Sequence, residues 1–142
     1  MTEFRIVPFE SAHAAAFPEF LALGIVPESV PPPAFTALAD GEPIVCAGIL
    51  AIRSGLGEAW AILRQPVQHG QWIARNLSSH LERLMREHHF RRVQAIAHCD
   101  RPELRRWMAF LGLQPEGVLR AYALDGADCF MYARIARNGD GS

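Results

Sequence analysis

One stretch constrains the fold more than any other: Glu58 to His98, EAWAILRQPVQHGQWIARNLSSHLERLMREHHFRRVQAIAH. Ala59–Leu63 and Val93–Ala97 are short runs with little polar alternation, the pattern of strands covered on both faces. Between them lie a polar turn, Gln65 to Gly70, and an amphipathic segment of helix length. Two parallel strands require a connection of this kind, and the crossover is right-handed. Ile73, Leu77, Leu81, Leu84 and Met85 recur at helical spacing and form one apolar stripe. Ser78, Ser79, Glu82, Arg83, Arg86 and Glu87 take the other side, where Glu82 and Arg86 are spaced as a favourable four-apart pair. The stripe covers a sheet, so functional meaning is sought in the first turn. Unpaired amides at a helix N-terminus favour an anionic group, and a phosphate-bearing cofactor would sit there.

The chain has 142 residues, half of them apolar, enough for a single domain over residues 1–136. The last residues, Arg137 to Ser142 (RNGDGS), are expected to be a flexible tail. A formal charge of −1 gives no general attraction to nucleic acid or anionic membrane. Arg91-Arg92 and Arg105-Arg106 are short basic pairs without aromatic stacking residues in strand register, so a nucleic-acid partner is not expected. No apolar run approaches the ~18 residues of a membrane span. The N-terminus, MTEFRIVPFES, lacks a basic segment followed by an apolar core, which reads as a soluble, non-secreted, cytoplasmic protein. Cys46, Cys99 and Cys129 are widely spaced in apolar, strand-like sequence and are expected to be reduced core residues. His88-His89 and His98-Cys99 invite a metal reading, but there is no CxxC, HxxxH or HExxH, and no metal site is expected.

In chain order, Phe4–Phe9 reads as a first strand, and Ser11 as the N-cap of a short helix through Ala14–Ala16 that Pro18 ends or restarts. Gly24–Pro33, GIVPESVPPP, is a semi-extended connector. Phe35–Ala39 and Pro43–Ile52 are strands joined by the hairpin signal Asp40-Gly41, and Arg53–Gly57 is a second turn leading into the parallel unit. Past that unit, Asp100 with Glu103 has the capping-box pattern, and Leu104, Trp107, Met108 and Leu111 make the apolar face of a helix ended by Gly112. Val118–Ala123 and Cys129–Ile135 read as a closing pair of strands around Asp125-Gly126. The class is α/β (α+β in other schemes): a mixed, mostly antiparallel sheet with one central parallel β-α-β crossover and flanking helices.

At RRWMAFLGLQPEGVLRAYALDGADCFMYARI a helix ending in LGL precedes a strand opening with EG and a hairpin with an aromatic-rich last strand. This resembles the C-terminal half of the GNAT (GCN5-related N-acetyltransferase) superfamily. The likeness extends upstream through the crossover unit and covers Phe35 to Ile135. GEAWAIL, RRVQAIAHCD and the RW-LGL-PEG-LRAY-DGAD-MYAR pattern also resemble GNAT-like proteins of tailed phages and prophages, some of them of the internal virion protein type. The resemblance implies an acetyl-CoA site made by Ala61, Ile62 and Leu63 on the strand and by Gly70, Gln71, Trp72, Ile73, Ala74 and Arg75 on the following loop and helix. It also implies a general base, for which Glu58 is the candidate.

The family's pyrophosphate loop, R/Q-x-x-G-x-G/A, aligns with His69-Gly70-Gln71-Trp72-Ile73-Ala74. Ala74 keeps the final small residue, whereas Trp72 occupies the central glycine and His69 the opening Arg or Gln. Met108 stands where many members carry a tyrosine acid and has no proton to give. Arg101 stands where an asparagine is common. These departures favour a non-catalytic, phage-type protein with a degenerate acetyl-CoA site, acting through protein partners, other virion proteins among them, in the host cytoplasm or the virion. On that reading Trp72 and Met108 close the cofactor notch from within. The alternative is an acyl-CoA-dependent N-acetyltransferase acting on a small amine or a protein amine.

Overall fold

The computed structural model describes residues 1–137. The tail expected at 137–142 therefore lies, apart from Arg137, outside the described residues. Seven strands, β1 (Phe4–Pro8), β2 (Ala34–Ala39), β3 (Glu42–Arg53), β4 (Leu56–Leu63), β5 (Arg92–His98), β6 (Gln114–Leu119) and β7 (Cys129–Ile135), form one sheet in the order β1-β2-β3-β4-β5-β7-β6. The helices are α1 (Glu19–Ala22), α2 (Gly70–Glu87) and α3 (Pro102–Phe110). The parallel pair is β4 with β5, recorded from Leu56 opposite Arg92 to Glu58 opposite Gln94. This is the mixed, mostly antiparallel architecture with a single crossover that the apolar runs imply. The chain groups into two compact units, each described in turn.

The first unit is Met1–Leu50 with Ala59–His69. Asp40 and Gly41 both take positive φ, 49° and 83°, as a tight hairpin turn requires. Ser11 is not a cap: it begins a 3-10 turn, Ser11–Ala16, whose N-cap is Glu10. The Glu10 amide donates to Nδ1 of His13 at 3.1 Å, so histidine does the capping work expected of serine. Pro18 then serves as the N-cap of α1. Ala14, Phe17, Phe20, Cys46 and Ile62 form a buried cluster, against which Phe9 and Trp60 pack. Phe9 and Phe20 stack at 5.8 Å, and Trp60 meets Phe9 edge-on at 6.5 Å. Thr36 is fully buried; its hydroxyl bonds His13 Nδ1 at 2.8 Å and lies 3.7 Å from the Cys46 sulfur. Burial pushes the Cys46 thiol up to about 11, against a small opposing pull from the Thr36 hydroxyl.

The second unit is Ala51–Glu58 with Gly70 onward. All five stripe residues of α2 are buried, and Ala74 with them. The exposed side differs from expectation in its pairing. Arg83 pairs with Glu87 at 3.6 Å, and Glu82 instead meets Arg134 of β7 at 3.6 Å. A guanidinium held on a neighbouring strand outcompetes a freely rotating one on the same helix, because less side-chain entropy is lost. β5 pairs with β7 along its whole length, Arg92 opposite Ile135 to His98 opposite Cys129. Its burial alternates, with Val93, Ala95 and Ala97 inward, so one face is covered more completely than the other.

Two boundaries near α3 and β6 depart from the sequence pattern. Asp100 does not cap α3; the N-cap is Arg101, and no side-chain cap bond is made. Pro102 takes the first helical position, which suits its fixed φ and missing amide and moves the start past Asp100. Glu103 pairs with Arg101 instead. At the other end Gly112 has φ 78°, its amide donates to the Ala109 carbonyl at 3.0 Å, and the Leu113 amide donates to Met108 at 2.9 Å, a Schellman closure. β6 occupies Gln114–Leu119, not Val118–Ala123. The apolar letters of Ala121–Leu124 belong to a loop tied by its own bonds: the Ala121 amide to Asp128 at 2.9 Å, and the Ala127 amide to Asp125 at 3.0 Å. Tyr122 and Leu124 are exposed there.

The register between β6 and β7 shifts between Pro115 and Gly117, so Glu116 is the extra residue of a bulge. The bulge lets its carboxylate reach Arg92 on β5, at 2.7 and 3.0 Å. That bond holds Glu116 below its ordinary value of 4.5. A depressed carboxylate contributes stability above its unfolded value and loses it as pH falls through the folded one. Glu116→Gln is therefore expected to lower the melting temperature near neutral pH, with the gap closing as pH drops below 4.5. A gap that stays constant through that window would refute the pair's contribution.

Cys46 and Cys129 are buried, but Cys99 is half-buried in the turn after β5 and is not a core residue. A thiol-specific chromogenic reagent is expected to label one cysteine in the native protein and three after unfolding. Rapid native labelling of Cys46 would contradict its burial.

Candidate functional site

α2 begins directly at Gly70, so the first helical amides have no residue ahead of them in the helix to receive them. Residues spaced four apart share a helix face, and Gly70, Gln71, Ala74, Arg75, Ser78 and Ser79 form one such face. Opposite them stand Arg106, Trp107 and Phe110 of α3, and the cleft between the two helices has a volume of about 810 Å³. A β-carbon added to Gly70 would meet nothing within 4 Å, so the mouth at the helix start is open.

The charge of this cleft is one-sided. Arg75 and Arg106 line it, and among the described residues no carboxylate does. By contrast, the cavity between α2 and β6–β7, about 380 Å³, mixes Glu82 and Glu116 with its arginines. Another, about 470 Å³, mixes Asp40 and Glu42 with Arg64. Neighbouring arginines on α3 have different fates. Arg105 lies over the Phe130 ring at 4.8 Å and donates to the Tyr132 hydroxyl at 3.3 Å, whereas Arg106 turns to the cleft. Two guanidiniums, two serine side chains and two aromatic rings beside a helix N-terminus suit an anion attached to a flat ring.

Of the residues expected at a cofactor site, Gly70, Gln71, Ala74 and Arg75 line the cleft. Ile73 does not, being 1% exposed in the core. Trp72 is half-buried and off the lining, and its carbonyl accepts a bond from Asn76 Nδ2 at 2.8 Å. Met108 is likewise half-buried and off the lining, so neither large side chain fills this cleft. Ala61 is exposed, Leu63 is half-buried, and Ile62 belongs to the Phe17–Phe20 core cluster. Glu58 is half-buried in the parallel ladder opposite Gln94 and does not line the cleft. Sequence reasoning missed Ser78, Ser79, Arg106, Trp107 and Phe110. The signal for the serines was the four-residue continuation of the 70/71 and 74/75 face.

His98, Cys99 and Asp100 bring one ligand-capable atom each within 4.8 Å of one another. His98 Nε2 donates to Asp125 at 3.0 Å, and Nδ1 accepts the Asp100 amide at 3.1 Å. The ring's one lone pair is thus engaged, and the group works as a pin for the 120–128 loop. The Ala127 amide, then His98, holds Asp125 below the usual carboxylate range.

No protein-family model matches the sequence, and no curated protein does. Solved structures do. Ard1 from Thermoplasma volcanium superposes with a TM-score of 0.78 at 13% identity, covering 94% of this chain and 98% of that one. A GNAT-family acetyltransferase from Bacillus anthracis gives 0.75 at 14%, over 95% and 96%. RimL, a ribosomal L7/L12 alpha-N-protein acetyltransferase in complex with coenzyme A, gives 0.74 at 14%, over 94% of each chain. The chain has the GNAT acetyltransferase fold.

The cleft's charge makes a prediction independent of any larger ligand. Inorganic pyrophosphate is expected to raise the melting temperature, less so at high salt. The Arg75→Ala/Arg106→Ala double variant should lose this response and Trp72→Phe should keep it. An undiminished response in the double variant would show that the anion binds elsewhere.

Proposed function

We propose that the protein is an acyl-CoA-dependent N-acyltransferase whose coenzyme lies in the α2–α3 cleft. The observation that carries this reading is the cleft itself, lined by Arg75 at the start of α2 and by Arg106, Trp107 and Phe110 of α3, with no carboxylate among its described lining residues. These residues fit a nucleotide thioester by donor chemistry. The guanidiniums and amides of the first turn of α2 match phosphates, and the rings match a purine. The bound coenzyme supplies an acyl group activated as a thioester, for transfer to an amine of a small molecule or of a protein.

The chain's own part is binding, orientation and proton handling. Arg75 and Arg106 neutralise phosphate charge, and Ser78 and Ser79 offer further donors along the helix face. Glu58 is the side chain proposed to take the proton that the amine nitrogen sheds as its bond to the acyl carbon forms. Met108 cannot protonate the sulfur, so the thiol departs as thiolate and takes its proton from solvent afterwards. Transfer is expected to rise toward basic pH, because only the unprotonated amine carries the lone pair that attacks the acyl carbon. A second reading rests on the same Met108 and on Trp72: a protein of this fold that works through partner proteins, virion components among them, without catalysis.

Acetyl-CoA at about 100 times its Kd would add about 2.7 kcal/mol to the stability of the fold, a melting shift of several degrees. That shift is the expected result, with release of free thiol when a panel of polyamines and peptide N-termini is added. Absence of any shift with acetyl-CoA would overturn the coenzyme site. A shift without thiol release, over the whole amine panel, would favour the non-catalytic reading.

A further inference from the structure

We infer that Arg134 is a positioning residue that sets the width of the α2–α3 cleft, an inference that rests on the coenzyme reading of that cleft. Arg134 lies near the end of β7, and its side chain is only 15% exposed. Nη1 donates to the Leu111 carbonyl at 3.0 Å and to the Ser78 carbonyl at 3.3 Å, and Nη2 lies 3.6 Å from a Glu82 oxygen. One guanidinium therefore ties both helices of the cleft to a strand. Ser78 is itself a lining residue, and Leu111 directly follows Phe110, another lining residue.

The chemistry of each tie is specific. Leu111 is the C-cap of α3, and its carbonyl belongs to the end of a helix where acceptors lack helical donors and the dipole is negative. A largely covered cation there satisfies an acceptor and meets the dipole at once. Glu82 balances the charge and fixes the plane of the fork. Gly112 makes room: a β-carbon at that position would lie 3.3 Å from Nη1, 3.4 Å from Cζ and 3.5 Å from Nε. The glycine thus closes α3 and admits the guanidinium beside the closure. Lysine cannot reproduce this arrangement, since a single ammonium lacks the planar fork that spans two carbonyls and a carboxylate. Arg134 touches no lining atom of the cleft in this network except through the Ser78 main chain, so its action on a ligand is indirect.

The test compares wild type with Arg134→Lys, Arg134→Met and Glu82→Gln, the last a mild change at a partly exposed site that preserves the fold if the Met variant does not. Coenzyme A binding is measured by calorimetry well below each melting point, and hydrogen exchange is followed without ligand in peptides covering Ser78–Glu82 and Leu104–Gly112. Losing charge-assisted bonds is expected to weaken binding about tenfold in Arg134→Met, with Arg134→Lys intermediate. Glu82→Gln should weaken it about threefold, the smaller effect of an exposed pair. Exchange should quicken in both peptides. A purely structural role would lower the melting temperature while leaving the affinity of the folded protein unchanged, and that outcome overturns the inference. Unaltered exchange overturns it as well. Absence of coenzyme A binding by wild type overturns the reading of the cleft itself and the inference with it, whereas binding of equal strength in all four proteins removes only the role of Arg134.

Discussion

Parallel strands cannot be joined by a tight turn, and most of the second unit follows from that constraint. Closing β4 onto β5 demands a crossover long enough to run back along the sheet, and α2 is that crossover. A helix used in this way must bury one face. Ile73, Leu77, Leu81, Leu84 and Met85 do so, which fixes the rotation of the helix about its axis. Once that rotation is set, the 70/71–74/75–78/79 face has no freedom to point elsewhere. The cleft is thus a by-product of core packing: the residues that bury α2 also aim its polar face at α3. Its first turn lies where the loop after β4 ends and the crossover helix begins.

What the sequence made legible was whatever repeats. The α2 stripe is periodic over several turns, and every member of it is buried; β7 spans the residues its pattern indicates. Features that depend on a single residue were harder to see. Pro102 overrides the Asp100–Glu103 capping pattern because it takes the first helical position for itself. Ala121–Leu124 looks like strand because apolar letters cluster there, yet the Asp128 carboxylate accepts the Ala121 amide and the Ala127 carbonyl accepts the Ala123 amide, bonds within the loop in place of a ladder. The Glu116 bulge leaves no trace in hydropathy, since an extra residue is visible only against its partner strand. The candidate site divides along the same line. Its α2 half was accessible from helix geometry, and its α3 half was not: the apolar face of α3 is legible from its spacing, but that face has no fully buried residue, and which side of α3 meets α2 depends on tertiary packing.

Fold and site carry different weight here. Structural likeness at identities below 15% establishes a chain path, and a chain path hosts many activities. Trp72 illustrates why the site has to be judged from its own geometry. By motif alignment it stands where glycine lets a backbone approach phosphate, and a bulky ring there suggests a blocked pocket. On the helix it falls about 100° around from Gln71, outside the lining face. The glycine's conformational freedom is lost at that position, but the volume beside Gly70 is not. A motif measures the first of these and is silent on the second.

Electrostatics gives the sharpest contrast between site and surface. The chain carries a formal charge of −1, so long-range attraction of an anion is weak, and screening over about 10 Å in ordinary salt would erase most of it. Local pairing decides instead. Arg83, Arg92, Arg101 and Arg134 each face a carboxylate, and Arg105 is engaged by Phe130 and Tyr132. Among the described residues Arg75 and Arg106 have no ion pair, nor do Arg5, Arg53, Arg86, Arg91 and Arg120; what sets the two apart is that they line one concave surface together. A carboxylate on the cleft-facing side of α2 or α3 would balance that charge by a single substitution, and none of the described lining residues supplies one. On the coenzyme reading proposed above, the two guanidiniums are left for a ligand's negative charge.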